Sequence, residues 1–149
     1  MEGHLSDVRP EPFDFPGGQR AANEPMHSMW LRLTLDGVAR IVAAVAVTEA
    51  APYEECGAVA PDYGALVGLT IGPGFRERVR GLFAKTRGCT HMNELLSAMA
   101  TAAIQTLADE EFQPDPNRKP FQIDGCHAWA SDNERVARFY PRWYRKPAA

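Results

Sequence analysis

The stretch "MWLRLTLDGVARIVAAVAVT", Met29–Thr48, restricts the fold of this chain more than any other. Met29, Leu31, Leu33 and Leu35 alternate with Trp30, Arg32 and Thr34, the period-two pattern of a strand with one face in the core. Asp36-Gly37 follows, a dipeptide suited to the positive φ values of a tight type I′ turn. The return strand, about Ala39–Thr48, is Val/Ala-rich and apolar on both faces, so helices are expected to cover one side. A hairpin needs partners to be stable, and "GHLSDV" (Gly3–Val8) reads as an edge strand that starts abruptly at Met1.

Between these strands, the first 28 residues are rich in Pro, Gly and charge, with "PEPFDFPGG" in the middle, and read as extended chain or loop. "EAAPYEEC" breaks the return strand, and "APDYGALVGL" reads as a short helix. "IGPG" leads into a helix of about Phe75–Lys85 with Phe75, Val79, Leu82 and Phe83 on one face; Gly88 ends that unit. From Thr90, apolar residues recur at Met92, Leu95, Leu96, Met99, Ala103, Ile104 and Leu107. Offsets of three and four make these one stripe of a long amphipathic helix, with Thr90 as its expected N-cap. "QPDPNRKP" reads as a loop, and Ser131 and Glu134 are spaced as a capping box opening a short helix that stops before Pro141.

Strands first and helices after imply an α+β fold: a small antiparallel sheet, hairpin plus edge strand, packed by a long helix and two or three shorter ones. One domain over 1–149 is expected, with an extended polar segment at 1–28, the hairpin and helical core at 29–112, and a loop and C-terminal helix at 113–149. No apolar run approaches the roughly 18 residues that span a bilayer, and the polar N-terminus lacks a signal peptide's apolar region. A cytoplasmic protein without a membrane partner is therefore expected. Three widely spaced cysteines fit reduced thiols better than a disulfide framework. A net charge of −3 argues against nucleic acid as a partner. Pairing of so small a sheet across a homodimer is a reasonable expectation.

The segments "GHLSD", "EPMHSMWLRLTLD", "VTEAAPYEEC", "LVGLTIGPGF", "RGCTHMNELLSAMATAAIQTL" and "DGCHAWASD" together resemble the bacterial family called domain of unknown function 2889. That resemblance implies no activity. A weaker resemblance, at the level of fold, is to NifU-like iron–sulfur scaffold proteins, in which one cysteine follows the sheet and another precedes the last long helix. Cys56 and Cys89 occupy comparable places, whereas the second early cysteine of that pattern is absent and Cys126 has no counterpart.

Cys89 leads the candidate chemistry. A helix N-terminus stabilises a nearby thiolate, and Arg87 and His91 would add to this if they point inward. Such a thiolate attacks an acyl carbon or binds a metal; the ordinary alternative is a small core residue in a tight Gly-Cys-Thr turn. Cys89 and His91 can meet only if Cys89 lies in the loop before the helix, because i,i+2 positions on a helix diverge. Cys56, Cys89, Cys126 and His127 form a second candidate set, a Cys3His metal site for zinc or an iron–sulfur group, although no C-x2-C knuckle is present. His4, Asp7, Glu24 and His27 offer a histidine with a carboxylate partner, the common apparatus for activating water. Glu49, at the rim of an apolar strand, either has a raised pKa suited to acid/base work or caps the following turn.

Two basic segments remain. Arg76, Arg78, Arg80, Lys85 and Arg87 lie in one; Arg135, Arg138, Arg142, Arg145 and Lys146 interleave with Phe139, Tyr140, Trp143 and Tyr144 in the other. Cations among aromatics suit a nucleotide's phosphates and ring, or simply form a solvated face. "IGPGF" does not match the phosphate-loop pattern, and neither G-x-S-x-G nor H-E-x-x-H occurs.

The leading expectation is an enzyme acting on a small-molecule substrate, an acyl or aroyl thioester of CoA type. Cys89, His91, Glu49 and His27 would carry the catalysis, and Arg87, Thr90, Cys56 and Trp129 would contact substrate. No cofactor is firmly implied by this reading. The alternative is a non-catalytic zinc or iron–sulfur protein using the three cysteines.

Overall fold

The computed structural model of the chain describes residues 1–111 and 117–147. The chain divides into two compact units, Met1–Glu110 and Glu111–Ala149. Residues 113–116 of the loop expected at "QPDPNRKP" lie outside the described residues.

The first unit is built on a three-stranded antiparallel sheet in the order β1-β4-β5, formed by β1 (Glu2–Val8), β4 (Pro25–Leu35) and β5 (Ile41–Ala50). Alternation in β4 places Met29, Leu31 and Leu33 in the core, each at most 1% exposed, and Trp30, Arg32 and Thr34 outside. The antiparallel register sets Gly3 opposite Leu31, Leu5 opposite Met29 and Asp7 opposite His27, so these pairs share the inner face. The outer face holds Glu2 opposite Arg32 and His4 opposite Trp30. Before β4, β2 (Phe13–Phe15) and β3 (Gly18–Arg20) form a small separate hairpin, so the polar N-terminal segment is extended but not without pairing. β4 itself begins at Pro25, four residues earlier than the alternation alone indicates.

The turn between β4 and β5 is not the tight Asp-Gly type. Ala39, not Gly37, takes the left-handed conformation, with φ 59°. The Asp36 carboxylate accepts from the N–H groups of Val38 (3.1 Å) and Arg40 (2.8 Å). Asp36 N–H also donates to Arg40 C=O at 3.0 Å, closing a longer loop. A side chain that can satisfy two backbone donors won over the dipeptide's intrinsic turn preference.

Two helices cover the inner face. α1 (Phe75–Phe83) buries Phe75, Val79 and Phe83, and α2 (Thr90–Glu111) buries Met92, Leu96, Met99, Ala100 and Ala103. Ile104, expected on the same stripe, is 41% exposed. Tyr63 and Leu66, from the 3-10 helix Ala60–Leu66, complete the cluster. Each fully buried Leu, Met or Phe contributes about 1.5–3 kcal/mol by leaving water. β1 passes close under α2: a Cβ on Gly3 would lie 2.6 Å from Met99 Sδ. Among the described residues, no helix is long and apolar enough to cross a membrane.

The second unit has its own small core of Ile123 and Val136. Its helix α3 (Glu134–Phe139) is capped by Asn133, whose side chain accepts from Arg135 N–H, and not by Ser131 as the spacing suggests. α3 stops before Pro141 as expected, because proline cannot supply the next backbone donor. Asp124, with φ 64°, accepts from Lys119 Nζ (2.6 Å) and Ser131 N–H (2.8 Å). The Lys119 hydrogen bond and that backbone donor hold its carboxyl down at about 2.

Candidate active site

Gly88 sets the entry to α2. The chain doubles back on Phe83 so tightly that a Cβ on Gly88 would come within 2.6 Å of the Phe83 carbonyl oxygen. The helix then starts at Thr90, which is exposed, so Cys89 takes the capping place assigned to Thr90 by the sequence. Asn93 N–H donates to the Cys89 carbonyl at 3.0 Å, the first bond of the helix.

Tyr63 clamps this entry from the core. Its hydroxyl accepts from Cys89 N–H (3.0 Å) and lies 2.9 Å from Asn93 Oδ1 and 3.1 Å from the Cys89 carbonyl, either of which takes its proton. Asn93 Nδ2 donates onward to the Phe83 carbonyl at 3.1 Å, and the Tyr63 and Phe83 rings stack at 4.4 Å. Burial of the phenol, despite the Cys89 amide, pushes its pKa up to about 12. Neither Tyr63 nor Asn93 stood out in the sequence, because "APDYGALVGL" reads only as a short helix; only the contact shows Tyr63 gripping Cys89.

With Cys89 outside the helix, its thiol reaches its neighbour two residues on. Sγ lies 3.9 Å from His91 Nδ1, at the long end for a sulfur hydrogen bond, and 3.8 Å from Met29 Sδ on β4. The His91 ring packs on that of His27, centroids 4.0 Å apart and tilted by 36°. His27 Nδ1 in turn lies 3.1 Å from both carboxylate oxygens of Asp7, directly opposite on β1, and His27 N–H donates to Asp7 Oδ1 at 2.7 Å. The carboxylate selects the tautomer with the proton on Nδ1 and locks the ring. Partial burial raises the Asp7 pKa, but the hydrogen bonds from the His27 ring and backbone outweigh this and leave it below the usual value. Asp7, His27, His91 and Cys89 are thus one continuous chain of side chains, drawn from two strands and a helix N-terminus.

The other sequence candidates are not in this chain. Glu49 lies on the outer face of the sheet, at the bulge where Ser28 pairs with Ala50 and Met29 with Thr48. There it accepts from Ser28 Oγ at 2.8 Å, and Ser28 Oγ is 3.1 Å from His4 Nε2. Its pKa is lowered rather than raised, first by the Ser28 hydrogen bond and then by one from Trp30, which favour the charged form; the expectation of a raised value assumed burial that the exposed rim does not provide. His4 stacks on Trp30 at 4.1 Å, and Glu24 contacts Arg20 at 3.5 Å. A cleft of about 440 Å³ beside the end of β5 is lined by Glu49, Arg20, Thr48, Tyr53 and their neighbours; Cys89, His91 and His27 are not in its lining.

Arg87 and Thr90 are exposed, and Cys56 is half-buried on the 3-10 turn Glu54–Gly57. Cys126, His127 and Trp129 belong to the second unit. All three cysteines are free, and among the described residues no group of three or more His, Cys, Asp or Glu side chains is arranged to hold a metal ion.

The sequence model of a protein family described as "Protein of unknown function (DUF2889)" matches residues 1–105. That span holds the whole Asp7–His27–His91–Cys89 chain, whereas the "DGCHAWASD" motif lies beyond it. No curated protein and no solved structure matches the chain, so the likeness to NifU-like scaffolds finds no counterpart.

Proposed function

Because the chain belongs to the DUF2889 family, whose description carries no activity, we propose from its geometry that it hydrolyses an acyl or aroyl thioester, with Cys89 as the nucleophile. The observation that carries this reading is the run from a thiol at a helix N-terminus, through His91 and His27, to the Asp7 carboxylate.

In this mechanism His91 Nδ1 takes the Cys89 thiol proton as sulfur attacks the thioester carbonyl. Negative charge on the carbonyl oxygen is met by backbone N–H groups in the first turn of α2. Since Tyr63 occupies the Cys89 N–H, those donors are the amides of the following residues. Collapse of the tetrahedral species breaks the carbon–sulfur bond to the substrate thiol, which leaves with the proton from His91. Water, deprotonated by His91, then cleaves the acyl-Cys89 bond and yields the carboxylic acid. A thioester suits this site because transfer from one sulfur to another is nearly balanced in energy. His27, held by Asp7, supports the His91 ring from behind and is a positioning residue. A catalytic free thiol suits the cytoplasm, where thiols stay reduced.

Incubation of the purified protein with a panel of acyl- and aroyl-CoA esters, with free thiol as the readout, tests the proposal. Release that disappears in Cys89→Ser supports it. No release from any ester, with or without added divalent metal, rejects it.

A further inference from the structure

The second unit contains a cationic and aromatic surface that the Cys89 chemistry does not use. Arg135 Cζ lies 5.7 Å from the Trp129 ring centroid, and Arg138 Cζ lies 5.1 Å from that of Phe139. Trp129 and Phe139 are themselves adjacent, 6.5 Å apart and tilted by 59°. The four side chains therefore form one run, Arg135–Trp129–Phe139–Arg138. Tyr140 braces it, 5.7 Å from Trp129, with its hydroxyl accepting from Gln122 Nε2 at 3.0 Å.

Three features distinguish this run from an ordinary solvated helix face. Phe139 is 56% exposed, a large ring left in water on a six-residue helix. Asp132 and Glu134 lie nearby in sequence, yet among the described residues no carboxylate forms an ion pair with Arg135 or Arg138. From Arg135 to Lys146 there are five cations and no carboxylate at all. A guanidinium held against a ring by cation–π attraction is already restrained while its N–H donors stay available, so it loses less freedom on gripping a phosphate with two hydrogen bonds. An exposed ring beside two such groups matches a ligand that joins a planar heterocycle to an anion.

We propose that this face binds a free nucleotide, with the base stacked on Phe139 and its phosphates held by Arg135 and Arg138. The inference does not depend on Cys89 being a nucleophile.

Equilibrium dialysis of the full chain against ADP is the test. Saturable binding below about 1 mM is expected. Arg135→Ala with Arg138→Ala should weaken it by about tenfold or more, and added salt should weaken it further. Phe139→Ala should weaken ADP by about tenfold and inorganic pyrophosphate by clearly less, because ADP loses the ring under its base whereas pyrophosphate loses only the support the ring gives Arg138. All three positions are exposed, so unchanged melting curves establish that the variants fold. Cys89→Ser should bind ADP as the parent does, which separates this result from the fate of the hydrolysis proposal. Absence of saturable ADP binding, equal affinity in the double arginine variant, or binding of a ten-residue oligothymidylate without binding of ADP would overturn it.

Discussion

The Cys89 thiol and the His91 imidazole, two residues apart in sequence, face one another with Sγ 3.9 Å from Nδ1. Side chains so spaced within a helix would point about 200° apart. They meet because α2 begins only at Thr90, leaving Cys89 in the turn before it. His91→Ala is therefore expected to lower kcat for thioester hydrolysis by about 10²–10⁴-fold, the usual range for losing a positioned acid/base group. His27→Ala should cost less, since His27 touches His91 and not the sulfur. Steady-state kinetics on the two variants checks the order; a larger loss from His27 than from His91 would reverse the assigned roles.

Tyr63 makes the capping turn of α2 sensitive to alkali. Its pKa is raised to about 12, so the unfolded chain ionises first as pH climbs. Its contribution is fully present below about pH 10 and is lost as pH rises from there towards 12. Tyr63→Phe removes that loss but leaves the Cys89 N–H and Asn93 Oδ1 without a partner. A neutral-pH destabilisation of about 1–3 kcal/mol is expected, with a flatter alkaline limb. Urea unfolding at pH 7 and between pH 10 and 12 measures both.

Gly88→Ala should be among the most damaging small substitutions in the first unit. The added methyl would meet the Phe83 backbone at 2.6 Å, where no side chain can turn aside. A loss of about 2 kcal/mol or more is expected, with slower alkylation of Cys89 if the turn shifts. Thermal melting and the rate of reaction with iodoacetamide test the two parts.

Asp36→Ala should destabilise the hairpin by about 1–2 kcal/mol, because the Val38 and Arg40 N–H groups lose the carboxylate that collects them. Gly37→Ala should be nearly neutral, since Gly37 does not have positive φ. The opposite ranking would restore the Asp-Gly turn.

Acid should act on the second unit through Asp124. Its pKa is depressed to about 2 by Lys119 and by the Ser131 amide, so its contribution stands above the unfolded value of 3.8 and is lost as pH falls from there to about 2. Asp124→Asn should remove this acid dependence, as read from the tryptophan fluorescence of Trp129 and Trp143 between pH 5 and pH 2.

Local pattern alone determined a good deal of this protein. Alternation in Met29–Leu35 placed a half-buried strand, the stripe from Met92 to Leu107 placed a long helix, and Pro141 placed the end of α3. These depend on backbone period and on proline's missing donor, which any fold must respect. Competition between nearby partners is harder to read, and there the pattern failed: Asp36 outbid an Asp-Gly turn, and Asn133 took the cap from Ser131.

The site divides the same way. Cys89 and His91 stood out because they sit together at a helix start. Asp7 and His27, twenty residues apart, became partners only through the register of β1 on β4. Glu49, a matching candidate by sequence, was sent by a bulge and strand alternation to the outer face, where Ser28 and Trp30 stabilise its charge. Residue types and local periods belong to the chain itself. Which carboxylate meets which imidazole depends on strand register and on the face a side chain takes, and packing of the whole sheet against α2 decides both.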